Sequence, residues 1–398
     1  MALGFELSED QELLRTSVRK ALARFEGNAE EYRKLILKEK QFPQDMWDAL
    51  CDLGVMGCLV PEEYGGNGQG LLAMVIALEE MGRRGFGNAL MVTTAMDAAC
   101  ILKNGSEELK KRFLPGIAEG KSKFAFALTE PDAGSNTFRL LTSATRDGAV
   151  YRLKGQKVFI TGADVADRIL VVARTIPYEQ IQKEGGSKAH GLSLFVVDSR
   201  TPGIEMRPIP TRGIEGMSQF HIYFNEVEVP AENRVGPENQ GALAIFNSLN
   251  PERILASATA IGMSDYLVQR AVAYAKDRKV FRDQPIGTYQ SIQHPLAEIA
   301  IQTEAARLMT YRAAWSFDRD DDPAKVGTWA NMAKYLAAEN AIRAADQAIQ
   351  TLGGYGFSEE YGVIYYWETL RLLRTAPITK EMILNYVAQY VLDLPRSY

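Results

Sequence analysis

The spacing of apolar positions changes period twice along this 398-residue chain. In residues 8–25, SEDQELLRTSVRKALARF, apolar side chains recur every three or four positions, the period of a helix lying on a core. Ser8 followed by Gln11 reads as a capping box at its start. PQDMWDALCDLG (43–54) predicts a short helix stopped at Gly54, and PEEYGGNGQG (61–70) a loop. LLAMVIALEEMGRRG (71–85) and ALMVTTAMDAACILKNG (89–105) return to helical patterning. From Lys123 the runs shorten and fill with Val, Ile and aromatics: KFAFALTE, YRLKGQKVFITG, RILVVART, LSLFVVD, IEMRPIP and FHIYFNEVEVP. Punctuated by Gly, Asp and Pro, they predict a β-domain of about seven strands. Near Gly241 helical spacing resumes and continues to about Leu392. The pattern predicts an α+β chain in three parts: helical 1–122, β 123–236 and helical 237–398.

Composition narrows the function classes. The chain is 46% apolar and 24% charged, ordinary for a globular protein, and its net charge of −5 argues against nonspecific nucleic-acid binding. No apolar run reaches the roughly 20 residues of a bilayer span. The N-terminus lacks a basic stretch followed by an apolar core, so a cytoplasmic location is expected. Cys51, Cys58 and Cys100 have no metal spacing and read as reduced, structural thiols; His190, His221 and His294 are widely separated. No metal site and no Ser-His-Asp hydrolase is expected.

Two glycine-rich pieces, GGNGQG (65–70) and GGYGF (353–357), lack the strand-turn-helix setting of a dinucleotide fingerprint. ALTEPDAGSNT (127–137) carries more chemistry, because its hydroxyls and turn N–H groups leave an apolar strand together. Taken alone it is an ordinary strand exit.

Five motifs in order change that reading. ALTEPDAGSN, KGQKVFITGADVAD (154–167), VEVPAENRVG (227–236), AYAKDRKVFRDQPIGTYQSIQHPLAEIA (273–300) and QTLGGYGFSEEY (350–361) resemble the signatures of acyl-CoA dehydrogenases. The resemblance spans nearly the whole chain. It implies an N-terminal helical domain, a middle β-barrel or sandwich and a C-terminal four-helix bundle. It also implies FAD, an acyl-CoA substrate oxidised at Cα–Cβ, and electron-transfer flavoprotein as acceptor. Carried over residue by residue, Ala127, Leu128, Thr129, Gly134 and Ser135 match the flavin-side loop, Ser135 also meeting the thioester ligand. Phe159, Ile160 and Thr161 match the second flavin strand. Arg278, Phe281, Gln290, Gln350, Gly353 and Gly354 match residues that reach the FAD of a neighbouring subunit, which implies a homo-oligomer, a tetramer or a dimer. Thr379 and Glu381 match a contact at the far end of the cofactor.

This chain departs from the family pattern at several places. Asn136 stands for the usual Asp, one residue is added at Arg282-Asp283-Gln284, and YWETLRLLR stands for Y-R-D-A-R. At the position of the usual catalytic glutamate stands Pro377, which has neither an acid nor an N–H. A minority of the family carries the base on a C-terminal-domain helix, before an arginine. LNPERILASA (249–258) matches that motif, so the resemblance implies Glu252 as the base with Arg253 beside it. Pro251 suits the first turn of a helix, which would put Glu252 near a helix N-terminus. The N–H that usually polarises the thioester must then come from a neighbour such as Ile378. Three other functions stay open: a redox-neutral relative of the desulfinase or lyase type, a non-catalytic flavoprotein scaffold, and an oxidase using O₂.

Overall fold

A computed structural model describes residues 6–26, 29–214 and 216–396. The opening residues 1–5, part of the stretch read above as no secretory signal, lie outside the described residues. Among the described residues no helix is long and apolar enough to cross a membrane.

The N-terminal helices form as their spacing predicts. Helix α1 (Glu9–Glu26) buries Leu14, Val18, Leu22 and Phe25. Its capping box is reciprocal: the Ser8 N–H donates to Gln11 Oε1 at 3.0 Å, and the Gln11 N–H donates to Ser8 Oγ at 3.2 Å. After the short α2 (Ala29–Arg33), α3 (Gln44–Asp52) ends before Gly54, whose φ is 76°. Helices α4 (Gly70–Arg83) and α5 (Ala89–Asn104) are buried along most of their length, because other helices cover them on more than one side. Helix α6 (Glu107–Ala118) leads into the sheet.

The sheet strands are β1 (Phe124–Ala127), β2 (Ser143–Asp147), β3 (Val150–Thr161), β4 (Arg168–Arg174), β5 (Leu192–Asp198), β6 (Ile204–Ile209), β7 (Gln219–Pro230) and β8 (Arg234–Val235). A short helix, α7 (Tyr178–Lys183), interrupts them. Among the described residues eight strands form one sheet in the order β6-β7-β3-β2-β4-β5-β8, with β1 parallel to β4. The spacing gave about seven. β2 and β8 lie outside the apolar runs, β2 because Ala144 is its one buried side chain and β8 because it has two residues. Alternation along the central strands joins two cores. Ile169, Val171 and Ala173 face the sheet's own core, while Leu170 and Val172 face the helical core. A strand buried on both faces reads as a continuous apolar run, as RILVVA does.

The C-terminal helices are α8 (Gly241–Asp277), α9 (Gln290–Asp318), α10 (Pro323–Leu352), α11 (Val363–Leu372) and α12 (Lys380–Tyr390), with a small ribbon of β9 (Lys279–Val280) and β10 (Gln284–Pro285) after α8. One expectation needs correction here: Pro251 is not in the first turn of a helix. It lies inside α8, so Glu252 gains nothing from a helix N-terminus. A proline inside a helix costs about 3 kcal/mol. Packing on α5 offsets it: Ala244 and Ile245 are buried, and Asn247 Nδ2 donates to Asn104 Oδ1 at 3.3 Å.

Helices α4 and α8 cross with backbones in contact. A Cβ on Gly262 would lie 2.1 Å from the carbonyl oxygen of Glu79, and one on Gly82 2.7 Å from that of Thr259. Gly262→Ala should therefore force the helices apart, cost about 1–3 kcal/mol and lower the melting temperature. Thermal unfolding followed by circular dichroism checks this; an unchanged midpoint would contradict the close crossing.

Candidate active site

Contacts between α5 and α8 run in a ladder. Asn104 meets Asn247, and the Cys100 thiol lies 3.5 Å from the Ala244 carbonyl oxygen. One turn along, Ser248 faces Cys100, and Glu252 comes within electrostatic reach of Asp97. Glu252 is partly buried, and burial pushes its carboxyl up to about 7, against the opposing pull of Arg253 and Lys334. Arg253 is buried and donates to Asn250 Oδ1 at 3.2 Å. Asp97 is 0% exposed, and among the described residues neither of its oxygens has a hydrogen-bond partner. Burial, reinforced by Glu252, holds it well above the carboxylate range, so it stays neutral.

Lys334 comes from α10 and is 2% exposed. Its ammonium donates to the Leu373 carbonyl and, at 2.5 Å, to the Ile378 carbonyl. Those carbonyls bracket the loop that carries Pro377. Burial and Arg253 lower the lysine to about 8. Ile378's own N–H makes no hydrogen bond among the described residues. Thr379 caps α12, its Oγ1 accepting from the Met382 N–H at 3.3 Å, and Glu381 is exposed in the first turn.

The sheet presents a second group. The Val158 N–H donates to the Thr129 carbonyl at 2.9 Å and ties the ALTEP loop to β3. Beneath them the Lys157 ammonium donates to the Leu128 carbonyl and to Glu130 Oε1, both at 2.9 Å. Glu130 also accepts from the N–H groups of Leu141 (2.6 Å) and Thr142 (2.9 Å). Pairing of β3 with β7 slips between Lys157 and Ile160. In that slip Phe159 takes φ 58° and is 58% exposed. A bulky residue in left-handed backbone is strained, and such strain gathers at functional sites. Thr161 Oγ1 accepts from Gln219 Nε2 at 2.8 Å. Ala127 and Ile160 point into the core, and their backbones pair with Val171 and Phe220. Gly134 and Ser135 are exposed, and a Cβ on Gly134 would meet nothing within 4 Å. Phe138, just beyond, packs edge-on to Phe246 of α8 at 6.5 Å, so this loop abuts the helix that carries Glu252.

The remaining predicted residues gather elsewhere. Arg278 closes α8, Phe281 sits between β9 and β10, Gln290 opens α9, and Gln350 precedes the turn of Gly353 and Gly354. Tyr274 packs on Tyr355 at 6.4 Å, which joins that turn to the end of α8. All six residues are exposed, Phe281 to 82%. At 1.5 Å per residue, Arg278 lies about 40 Å along α8 from Glu252.

Two residues were missed by sequence reasoning. Lys334 falls on the buried stripe Ala330, Ala337, Ala341, a lysine where the helical period calls for a small apolar residue. Asp97 is the one charged residue among the buried residues of α5. Both signals were present in the pattern.

Comparison with known proteins follows the same three parts. Models of the acyl-CoA dehydrogenase N-terminal, middle and C-terminal domains match residues 8–121, 125–227 and 239–392. Acyl-CoA dehydrogenase FadE12 of Mycobacterium tuberculosis (strain ATCC 25618 / H37Rv) is 43% identical over 386 residues, 96% of this chain and 97% of that one. Cyclohex-1-ene-1-carbonyl-CoA dehydrogenase of Geobacter metallireducens is 36% identical over 378 residues, 94% of each chain. The solved complex of glutaryl-coenzyme A dehydrogenase with glutaryl-CoA matches with a TM-score of 0.90 at 31% identity, covering 99% of this chain and 98% of that one. The chain belongs to the acyl-CoA dehydrogenase family of FAD-dependent oxidoreductases.

Proposed function

We propose that Glu252 is the base of an acyl-CoA dehydrogenation that yields the 2-enoyl-CoA. The observation that carries this is the setting of its carboxyl, raised to about 7 between two buried cations while position 377 holds a proline. A base working near neutral pH needs that degree of tuning. Its carboxylate takes the α-proton, and the electron pair of that C–H bond moves toward the thioester carbonyl. We assign the polarising donor at that carbonyl to the unpartnered N–H of Ile378, and assign Arg253 and Ser135 to binding around it. FAD, when bound, supplies the acceptor for the hydride leaving Cβ.

The residues present fit that cofactor. Thr129, Phe159 and Thr161 offer a hydroxyl-lined, strained aromatic edge, with Leu128 and Glu130 locked behind it by Lys157. Arg278 and Phe281 lie too far along α8 to share Glu252's site in one chain. We therefore assign them, with Gln290, Gln350, Gly353 and Gly354, to the cofactor of a second copy, which makes the enzyme an oligomer, read as a tetramer. Thr379 and Glu381 would hold the far end of the cofactor. Domain divisions near 122 and 236, electron-transfer flavoprotein as acceptor and a cytoplasmic location complete the reading. A binding scaffold has no use for a carboxyl tuned in this way, and desulfinase-type relatives tend to lose the base, so Glu252 favours the dehydrogenase reading.

Anaerobic titration of the yellow protein with a panel of acyl-CoA thioesters, cyclic and branched ones included, should bleach the flavin. Glu252→Gln should slow that reduction by about 10²–10⁴-fold with substrate binding nearly intact. Because the ionised carboxylate is the reactive form, reduction by the parent enzyme should rise with pH through about 7. Reduction of the variant at the parent rate would overturn the assignment. Phe159→Gly should stabilise the FAD-free protein by about 1 kcal/mol, by relieving left-handed strain, yet weaken FAD retention. A destabilised apoprotein that holds FAD normally would contradict the role given to Phe159.

A further inference from the structure

The Pro377 loop is held from one side by α10. Lys334 binds the carbonyls of Leu373 and Ile378. Glu339, also on α10, pairs with Arg374 of the same loop at 2.8 Å. That second pair is neutral as a unit, but Lys334 is different. Among the described residues it has no carboxylate within ion-pair distance, and its hydrogen bonds go to the two carbonyls. The charges that face it are Glu252 and Arg253 from α8, Glu339 from its own helix and Glu381 from α12. Glu252 in turn faces Arg253 and Lys334, with the neutral Asp97 behind it.

Around the base, two cations thus oppose one anion. A buried charge without an ion-pair partner costs free energy, and such a group is retained where a developing charge uses it. When Glu252 takes the α-proton, negative charge passes from its carboxylate to the thioester oxygen. The excess cation stays behind to favour that oxygen. This is the place in the reaction where Pro377 itself offers no N–H and the donor is assigned to Ile378.

We propose that Lys334 is a positioning residue for this reaction: it fixes the loop through the Ile378 carbonyl, and its charge favours negative charge at Glu252 and at the thioester oxygen. The inference rests on Glu252 being the base. Lys334 loses its proton near 8, so the parent enzyme should show a rate that rises through about 7 and falls above about 8.

The test is the pH dependence of flavin reduction by the best acyl-CoA of the panel, in Lys334→Met, Lys334→Gln and Lys334→Arg, with Glu252→Gln as control. Met and Gln should slow reduction at least tenfold with thioester binding within about threefold. Both should move the acid limb up by about one pH unit, because an opposing charge has been removed. Arg keeps the charge, so its acid limb should stay in place while its alkaline limb disappears. FAD content and melting temperature identify a variant that fails to fold, and the Arg variant still decides the alkaline limb. An acid limb unmoved in both Met and Gln, or an alkaline limb retained in Arg, overturns the proposal while Glu252→Gln is inactive. Should Glu252→Gln stay active, the base assignment falls and this inference falls with it.

Discussion

Between α5, α8 and α10 the interior holds Arg253 and Lys334 around one titratable carboxyl, Glu252, with the neutral Asp97 behind it. A carboxyl buried without those cations would stay protonated and could take no further proton. A carboxylate in bulk water would be too weak a base for an α-hydrogen. The two cations pull against burial, and the balance leaves the group near 7. That balance depends on three helices from two parts of the chain keeping their spacing.

Much of the remaining architecture serves that spacing. α8 runs unbroken through Pro251 and rests on α4 at the Gly82–Gly262 crossing, where there is no room for a side chain. The sheet is joined to the same helical core through alternate residues of β4 and β5. The loop after β1, tied down by the buried Glu130–Lys157 pair, reaches α8 through Phe138 and Phe246. The strained Phe159 and Glu252 are therefore set on elements locked to one another. Removing one member of a buried ion pair typically costs about 3–5 kcal/mol, so the loop after β1 is held by more than turn chemistry.

The helical and β parts were legible because both periods are strong; the motifs pointed to the loop and strand proposed as the flavin edge, and LNPERILASA (249–258) pointed to Glu252. What the sequence hid was three-dimensional. β2 buries one side chain and β8 has two residues, so neither leaves a period-two trace. Pro251 read as a helix start because local rules favour it there; packing of the preceding turns on α5 overrode them. The strain at Phe159 comes from a slip in strand pairing that no single strand encodes. Lys334 and Asp97 looked like single charged residues on buried helix faces. Their meaning required knowing that α5 and α10 both face Glu252.

The central claim, that Glu252 removes the α-proton, is tested most directly apart from the redox step. An arylacetyl-CoA has α-hydrogens but no hydrogens on a saturated β-carbon, so it can exchange but cannot be dehydrogenated. Incubated with the enzyme in D₂O and followed by mass spectrometry, it should gain deuterium at Cα with the parent protein. With Glu252→Gln it should gain deuterium no faster than without enzyme. Undiminished exchange in Glu252→Gln would contradict the account.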